Sequence, residues 1–236
     1  MVPAYRKGAK DAASDPSFDD DGCDAGRDQR GGTGGKQGRH QRPRHSAGTN
    51  GADKLLGKGG NDVLFSLGGR DNLLGAEGED WLLGGNKQRP LGGDKNLVGG
   101  PGNDGVQGGE DSDNLLGSSG NDFADGGPGS DNISGGEGND FVVDGERRGS
   151  AGATDILTGG DGNDVLDPFN KPAGRDFVTC GRGFDRALAD TEDVVAPDCE
   201  KVAVGPAAVR ELHKQIEDSG YFDRLIEGLA PFPPGS

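Results

Sequence analysis

GGPGSDNIS (126–134) and GGEGNDFVV (135–143) stand back to back near the middle of the chain. Each opens on Gly-Gly, carries a third Gly at position four, Asp at position six and an apolar residue at position eight (Ile133, Val142). Read outward from this pair, the chain divides from Gly48 to Asp167 into twelve nonapeptides, starting at residues 48, 57, 66, 75, 90, 99, 108, 117, 126, 135, 150 and 159. Two stretches, GGNKQR (84–89) and DGERRG (144–149), break the phase. A fixed period of this kind decides the architecture before any local reading does.

Position six is Asp in eleven copies: Asp53, Asp62, Asp71, Asp80, Asp104, Asp113, Asp122, Asp131, Asp140, Asp155 and Asp164, with Lys95 as the exception. Position eight is apolar in all twelve, from Leu55 to Leu166. The glycines permit the positive φ and close backbone approach of a tight turn. The last three residues alternate outward, inward and outward, as in a short strand. One inward residue per nine cannot fold a unit alone, so stacked repeats must share a narrow core.

Stacking also places the carboxylates of successive turns in a row, about 4.8 Å apart. Left unpaired, such a row repels itself. A hard divalent cation that takes six to eight oxygens turns the repulsion into cross-links, and Ca²⁺ suits it better than the tightly octahedral Mg²⁺. These residues closely resemble the RTX (hemolysin-type) calcium-binding nonapeptide family, whose pattern is GGxGxDxUx with U apolar. The resemblance covers residues 48–167. It implies an all-β fold, a parallel β-roll (β-solenoid) with two nonapeptides per turn. It also implies Ca²⁺ between turns, held by Asp carboxylates and glycine-loop carbonyls.

With two copies per turn, odd and even copies lie on opposite edges. The even edge (Asp62, Asp80, Asp104, Asp122, Asp140, Asp164) reads Gly-Asn-Asp in five of six copies. The odd edge (Asp53, Asp71, Asp113, Asp131, Asp155) is degenerate: Ser66-Leu67, Pro90-Leu91 and Ser150-Ala151 replace Gly-Gly, and Lys95 replaces Asp. Neighbouring Asp pairs number five on the even edge and three on the odd, which sets up to about eight Ca²⁺ as the expectation. Lys95 is expected to act as a built-in cation between Asp71 and Asp113.

Composition frames the same reading. A net charge of −16, 48 glycines and 30% hydrophobic residues in 236 describe a chain that without its pattern reads as disordered. The repeat block carries 22 acidic against 8 basic residues, so bound cations relieve its self-repulsion. The acidity argues against nucleic acid, and no stretch has the length and apolarity of a membrane span.

The flanks differ in kind. Residues 1–47, basic and Gly-rich with His40 and His45, are expected to be a disordered tail. They hold no apolar h-region of a secretory signal, whereas weak calcium sites call for extracellular calcium. The expectation is therefore extracellular, secreted or at the cell surface, with an export signal not recognised in this reading. Residues 168–204, with Cys180 and Cys199, resemble a capping segment that follows such repeats in secreted actinobacterial calcium-binding proteins. There the two cysteines form a disulfide, or stay free thiols; Cys23 is the odd one out. Residues 205–236 read as a short amphipathic helical tail, with Val209, Leu212 and Ile216 on one face and Gly220 as its stop.

The chain shows neither HExxH nor GxSxG. The expected function is that of a non-enzymatic calcium-binding protein that folds on binding several Ca²⁺, with cell-surface or self-association contacts as candidate interactions. The alternatives are the calcium-dependent C-terminal part of a larger exported hydrolase or toxin, and a calcium-bridged adhesion or matrix module.

Overall fold

The computed structural model describes residues 44–85, 95–145, 153–168 and 174–221. Two parallel sheets face each other along a solenoid of about eight turns. One sheet stacks β1 (His45–Ala47), β3 (Val63–Phe65), β5 (Trp81–Leu83), β7 (Gly105–Gln107), β9 (Phe123–Asp125), β11 (Phe141–Val143), β13 (Val165–Asp167), β15 (Arg186–Ala189) and β17 (Lys201–Val204). The other stacks β2 (Lys54–Gly59), β4 (Asn72–Glu77), β6 (Asn96–Pro101), β8 (Asn114–Ser119), β10 (Asn132–Glu137), β12 (Ile156–Asp161), β14 (Phe177–Arg182) and β16 (Val194–Val195).

Register follows the period. Leu55 pairs with Leu73, Leu97 with Leu115, and Ile133 with Leu157, so like positions stack on like. All twelve position-eight residues are buried in one column, extended by Val178 and Ala187. Alternation along each strand sends the flanking residues outward, which leaves a core one side chain wide.

Three boundaries differ from the sequence reading. Arg44 to Ala47, assigned to the disordered tail, belong to the solenoid, because β1 pairs with β3 in the common register. Residues 1–43, with Cys23, and residues 222–236 of the tail lie outside the described residues. The boundary at residue 167 does not end the solenoid: β14 to β17 continue both sheets. The segment read as a cap is thus solenoid, closed by a disulfide between Cys180 and Cys199.

The third difference is which residues hold position one of the interrupted turns. The N–H of Gly84 donates to Gln107 O as those of Gly108 and Gly126 donate to Asp125 O and Val143 O; the Asp144 N–H likewise reaches Asp167 O. Gly84 and Asp144 therefore hold position one of the interrupted turns. Residues 86–94 and 146–152 lie outside the described residues.

Helix α1 (Pro206–Asp218) packs Val209, Leu212 and Ile216 against Val165, Leu188 and Ala203 on the first sheet's outer face, with Phe123 and Phe141 alongside. Gly220 (φ 67°) follows its C-terminal end. Among the described residues no helix is long and apolar enough to cross a membrane.

Candidate metal centre

Each turn presents its position-six carboxylate to the turn before it. On the even edge the N–H of Asp62 donates to Asp80 Oδ1 (2.7 Å), Asp80 to Asp104 (2.7 Å), Asp104 to Asp122 (2.8 Å), Asp122 to Asp140 (2.8 Å) and Asp140 to Asp164 (2.9 Å). On the odd edge Asp53 donates to Asp71, Asp113 to Asp131 and Asp131 to Asp155 in the same way. All eight expected neighbour pairs are therefore adjacent. Asp71 and Asp113 are kept apart by the turn of Lys95, whose own N–H donates to Asp113 Oδ1.

In eight of these carboxylates one oxygen is thus satisfied and the other is not. Oδ2 of Asp62, Asp71, Asp80, Asp104, Asp122, Asp131, Asp140 and Asp164 is buried without a hydrogen-bond partner. Buried polar atoms are ordinarily paired, and an unpaired carboxylate oxygen calls for a ligand or a bound proton. The position-one glycine sets where these oxygens lie. A Cβ on Gly117 would come 2.3 Å from Asp122 Oδ2 and 2.5 Å from the carbonyl oxygen of Gly135 in the next turn. Carboxylate and carbonyl oxygens therefore converge beside a Cα that can carry no side chain. Such an all-oxygen donor set fits a hard cation such as Ca²⁺.

Electrostatics agree. Burial is the leading cause that lifts Asp80 to about 6, Asp122, Asp140 and Asp164 to about 7 and Asp104 to about 8. Repulsion from Asp122 and Asp80 adds to the shift at Asp104. On the odd edge burial lifts Asp131 to about 9, with Asp155, Asp113 and Asp144 adding. Desolvation makes the row reluctant to carry charge uncompensated.

The RTX calcium-binding nonapeptide repeat family matches this chain in four copies, at residues 47–85, 92–124, 107–142 and 150–167. The chain carries RTX repeats. No curated protein matches it. RTX calcium-binding repeats in a β-solenoid suggest a calcium-binding repeat module.

Several residues of the RTX edges escaped the sequence reading. Asp185 accepts from the Asp164 N–H (2.8 Å) and Glu200 from that of Asp185 (2.8 Å), which extends the even edge by two rungs. Asp176 and Asp193 extend the odd edge similarly. The signal was present: CGRGFDRAL (180–188) keeps Gly at positions two and four, Asp at six and Ala at eight, with only Cys180 out of pattern. At the other end Arg44 holds position six. Its N–H donates to Asp62 Oδ1 (2.6 Å) and its Nη1 to Gly57 O (3.0 Å).

The asymmetry between edges has a second cause besides glycine content. Even-edge Asn residues at position five form their own ladder: the N–H of Asn121 donates to Asn103 Oδ1 (2.7 Å), Asn139 to Asn121 (2.7 Å) and Asn163 to Asn139 (2.8 Å). On the odd edge Ser112 and Ser130 fill this role at 3.4 and 3.3 Å. Shorter contacts to an amide oxygen hold the even loops more firmly.

Proposed function

We propose that this protein is a non-enzymatic calcium-binding protein, secreted or at the cell surface, whose repeats complete their fold on binding several Ca²⁺. The supporting observation is the buried row of partnerless Asp Oδ2 atoms along both edges. Ca²⁺ supplies positive charge and additional oxygen coordination there. The Asp Oδ2 atoms of adjacent turns, with nearby glycine-loop carbonyls, are the ligands on offer. Metal binding free energy then appears as folding free energy. The neighbour pairs within 48–167 suggest about eight ions, and the rungs Asp164–Asp185 and Asp155–Asp176 suggest two more. The Cys180–Cys199 disulfide supports an oxidising, extracellular setting.

Far-UV circular dichroism of the full chain, titrated with CaCl₂ after EGTA stripping, tests this reading. A cooperative gain of β signal with Ca²⁺ and none with Mg²⁺ is expected. A full β spectrum in EGTA, unchanged by Ca²⁺, would overturn it.

A further inference from the structure

Asp144 departs from the repeat in a way that adds a ligand. It holds position one, where the two preceding turns of the same edge have Gly108 and Gly126. A carboxylate there meets the odd-edge row. One oxygen each of Asp144, Asp155 and Asp176 lie within 4.8 Å of one another, and all three residues are at most 1% exposed.

Two further carboxylates flank this group from the turns before and after. Asp131 is 2% exposed and its Oδ2 has no hydrogen-bond partner; Asp190 is 7% exposed with Oδ2 equally unpartnered. The Asp131 N–H donates to Asp155 Oδ1 and the Asp155 N–H to Asp176 Oδ1 (2.8 Å), so Asp131 stands on the rung next to the triad.

We infer that Asp144, Asp155 and Asp176, supported by Asp131, form an all-carboxylate site for one hard divalent cation that binds more tightly than the ladder positions. An ordinary rung offers one carboxylate from each of two turns. Here the turn of Asp155 contributes two, and Asp176 of the next turn a third. Affinity for Ca²⁺ rises with the number of charged ligands and the rigidity of the site. Asp144 and Asp155 come from positions one and six of one interrupted turn.

The inference rests on the calcium-module reading, and its test separates the two. Isothermal titration calorimetry of the EGTA-stripped full chain with CaCl₂ compares wild type with Asp144→Gly, which restores the glycine found at Gly108 and Gly126. Wild type is expected to bind one ion ahead of a weaker class. Asp144→Gly is expected to weaken that first ion at least about tenfold, while the β spectrum at saturating Ca²⁺ is kept. Unchanged or tighter binding by Asp144→Gly, or a single uniform class in wild type, overturns the site and leaves the module standing. No heat and no ion uptake by wild type overturns the module itself. Should Asp144→Gly fail to reach the β spectrum, Asp144→Asn, which keeps the volume and removes the charge, carries the same comparison.

Discussion

The Lys95 ammonium lies 3.6 Å from Oδ1 of Asp113, with the two side chains 2% and 0% exposed. Its Nζ also donates to the carbonyl of Glu110 at 3.2 Å. A tethered cation thus reaches a position-six carboxylate and a loop carbonyl together, the same pair of groups that the other rungs offer. Burial lifts Asp113 to about 7 and the charge of Lys95 opposes the rise. Lys95→Asp creates two new neighbour pairs, with Asp71 and with Asp113, and is expected to add up to two Ca²⁺ and to make folding of this edge more calcium-dependent. Lys95→Met leaves Asp113 without its charged partner, keeping only the backbone N–H of residue 95, and is expected to cost about 3–5 kcal/mol in EGTA. Ion counting by calorimetry and denaturant melts checks both; an unchanged stoichiometry in Lys95→Asp would mean that the gap is set by backbone shape.

The raised carboxylates fix the sign of the pH response. Asp122, Asp140 and Asp164 sit at about 7 in the metal-free fold, against about 3.9 in an unfolded chain. The folded state therefore binds more protons, and metal-free stability falls as pH rises from about 4 through about 8. In EGTA the β signal should be stronger at pH 5 than at pH 8. With Ca²⁺ the order of affinities reverses, since protons and cations compete for one row. Circular dichroism at several pH values, with and without Ca²⁺, reads both. A β signal in EGTA that grows with pH would contradict the buried row.

The core column and the eleven repeat aspartates were legible because a period of nine holds each type in fixed phase. Leu64, Leu82 and Ile133 face inward as their position requires. What hid the rest was local. Cys180 at position one and shortened spacing (Val178 pairs with Val195) masked the last turns. Counting back from Lys95 and Asp155 assumed unbroken copies, which put Pro90 and Ser150 where Gly84 and Asp144 belong. That assumption also concealed Asp144 as a ligand candidate. The helix face was readable from Val209, Leu212 and Ile216, but its docking surface was not, since outward residues such as Phe123 and Phe141 obey no repeat rule.

Ser118 occupies position two of its turn with φ at 100°, where stacked neighbours have Gly100 and Gly136. A side chain in the left-handed region costs about 1–2 kcal/mol, partly offset by the greater flexibility of unfolded glycine. Ser118→Gly is expected to raise stability at saturating Ca²⁺ by about 0.5–1 kcal/mol. Ser118→Val, β-branched, should lower it. Paired denaturant melts decide; equal midpoints would show that the loop relaxes around its side chain.

Helix α1 should gain its order from the stacked solenoid on which it docks. A 13-residue helix is marginal in water by itself. Here Leu212 is buried against the outer face of the first sheet, and the Tyr221 hydroxyl donates to the carbonyl of Asp140, an even-edge ladder residue. The docking surface exists only once β9, β11, β13, β15 and β17 are stacked. Amide exchange protection over residues 206–218 is therefore expected to appear in the same Ca²⁺ transition as protection over residues 141–143. Leu212→Ala should remove about 2–5 kcal/mol of packing and lose helix protection first, with the strand residues of β11 still protected at saturating Ca²⁺. Helix protection that persists in EGTA would show that α1 folds without the roll. Equal loss over helix and strands in Leu212→Ala would instead make the helix part of the solenoid's cooperative unit.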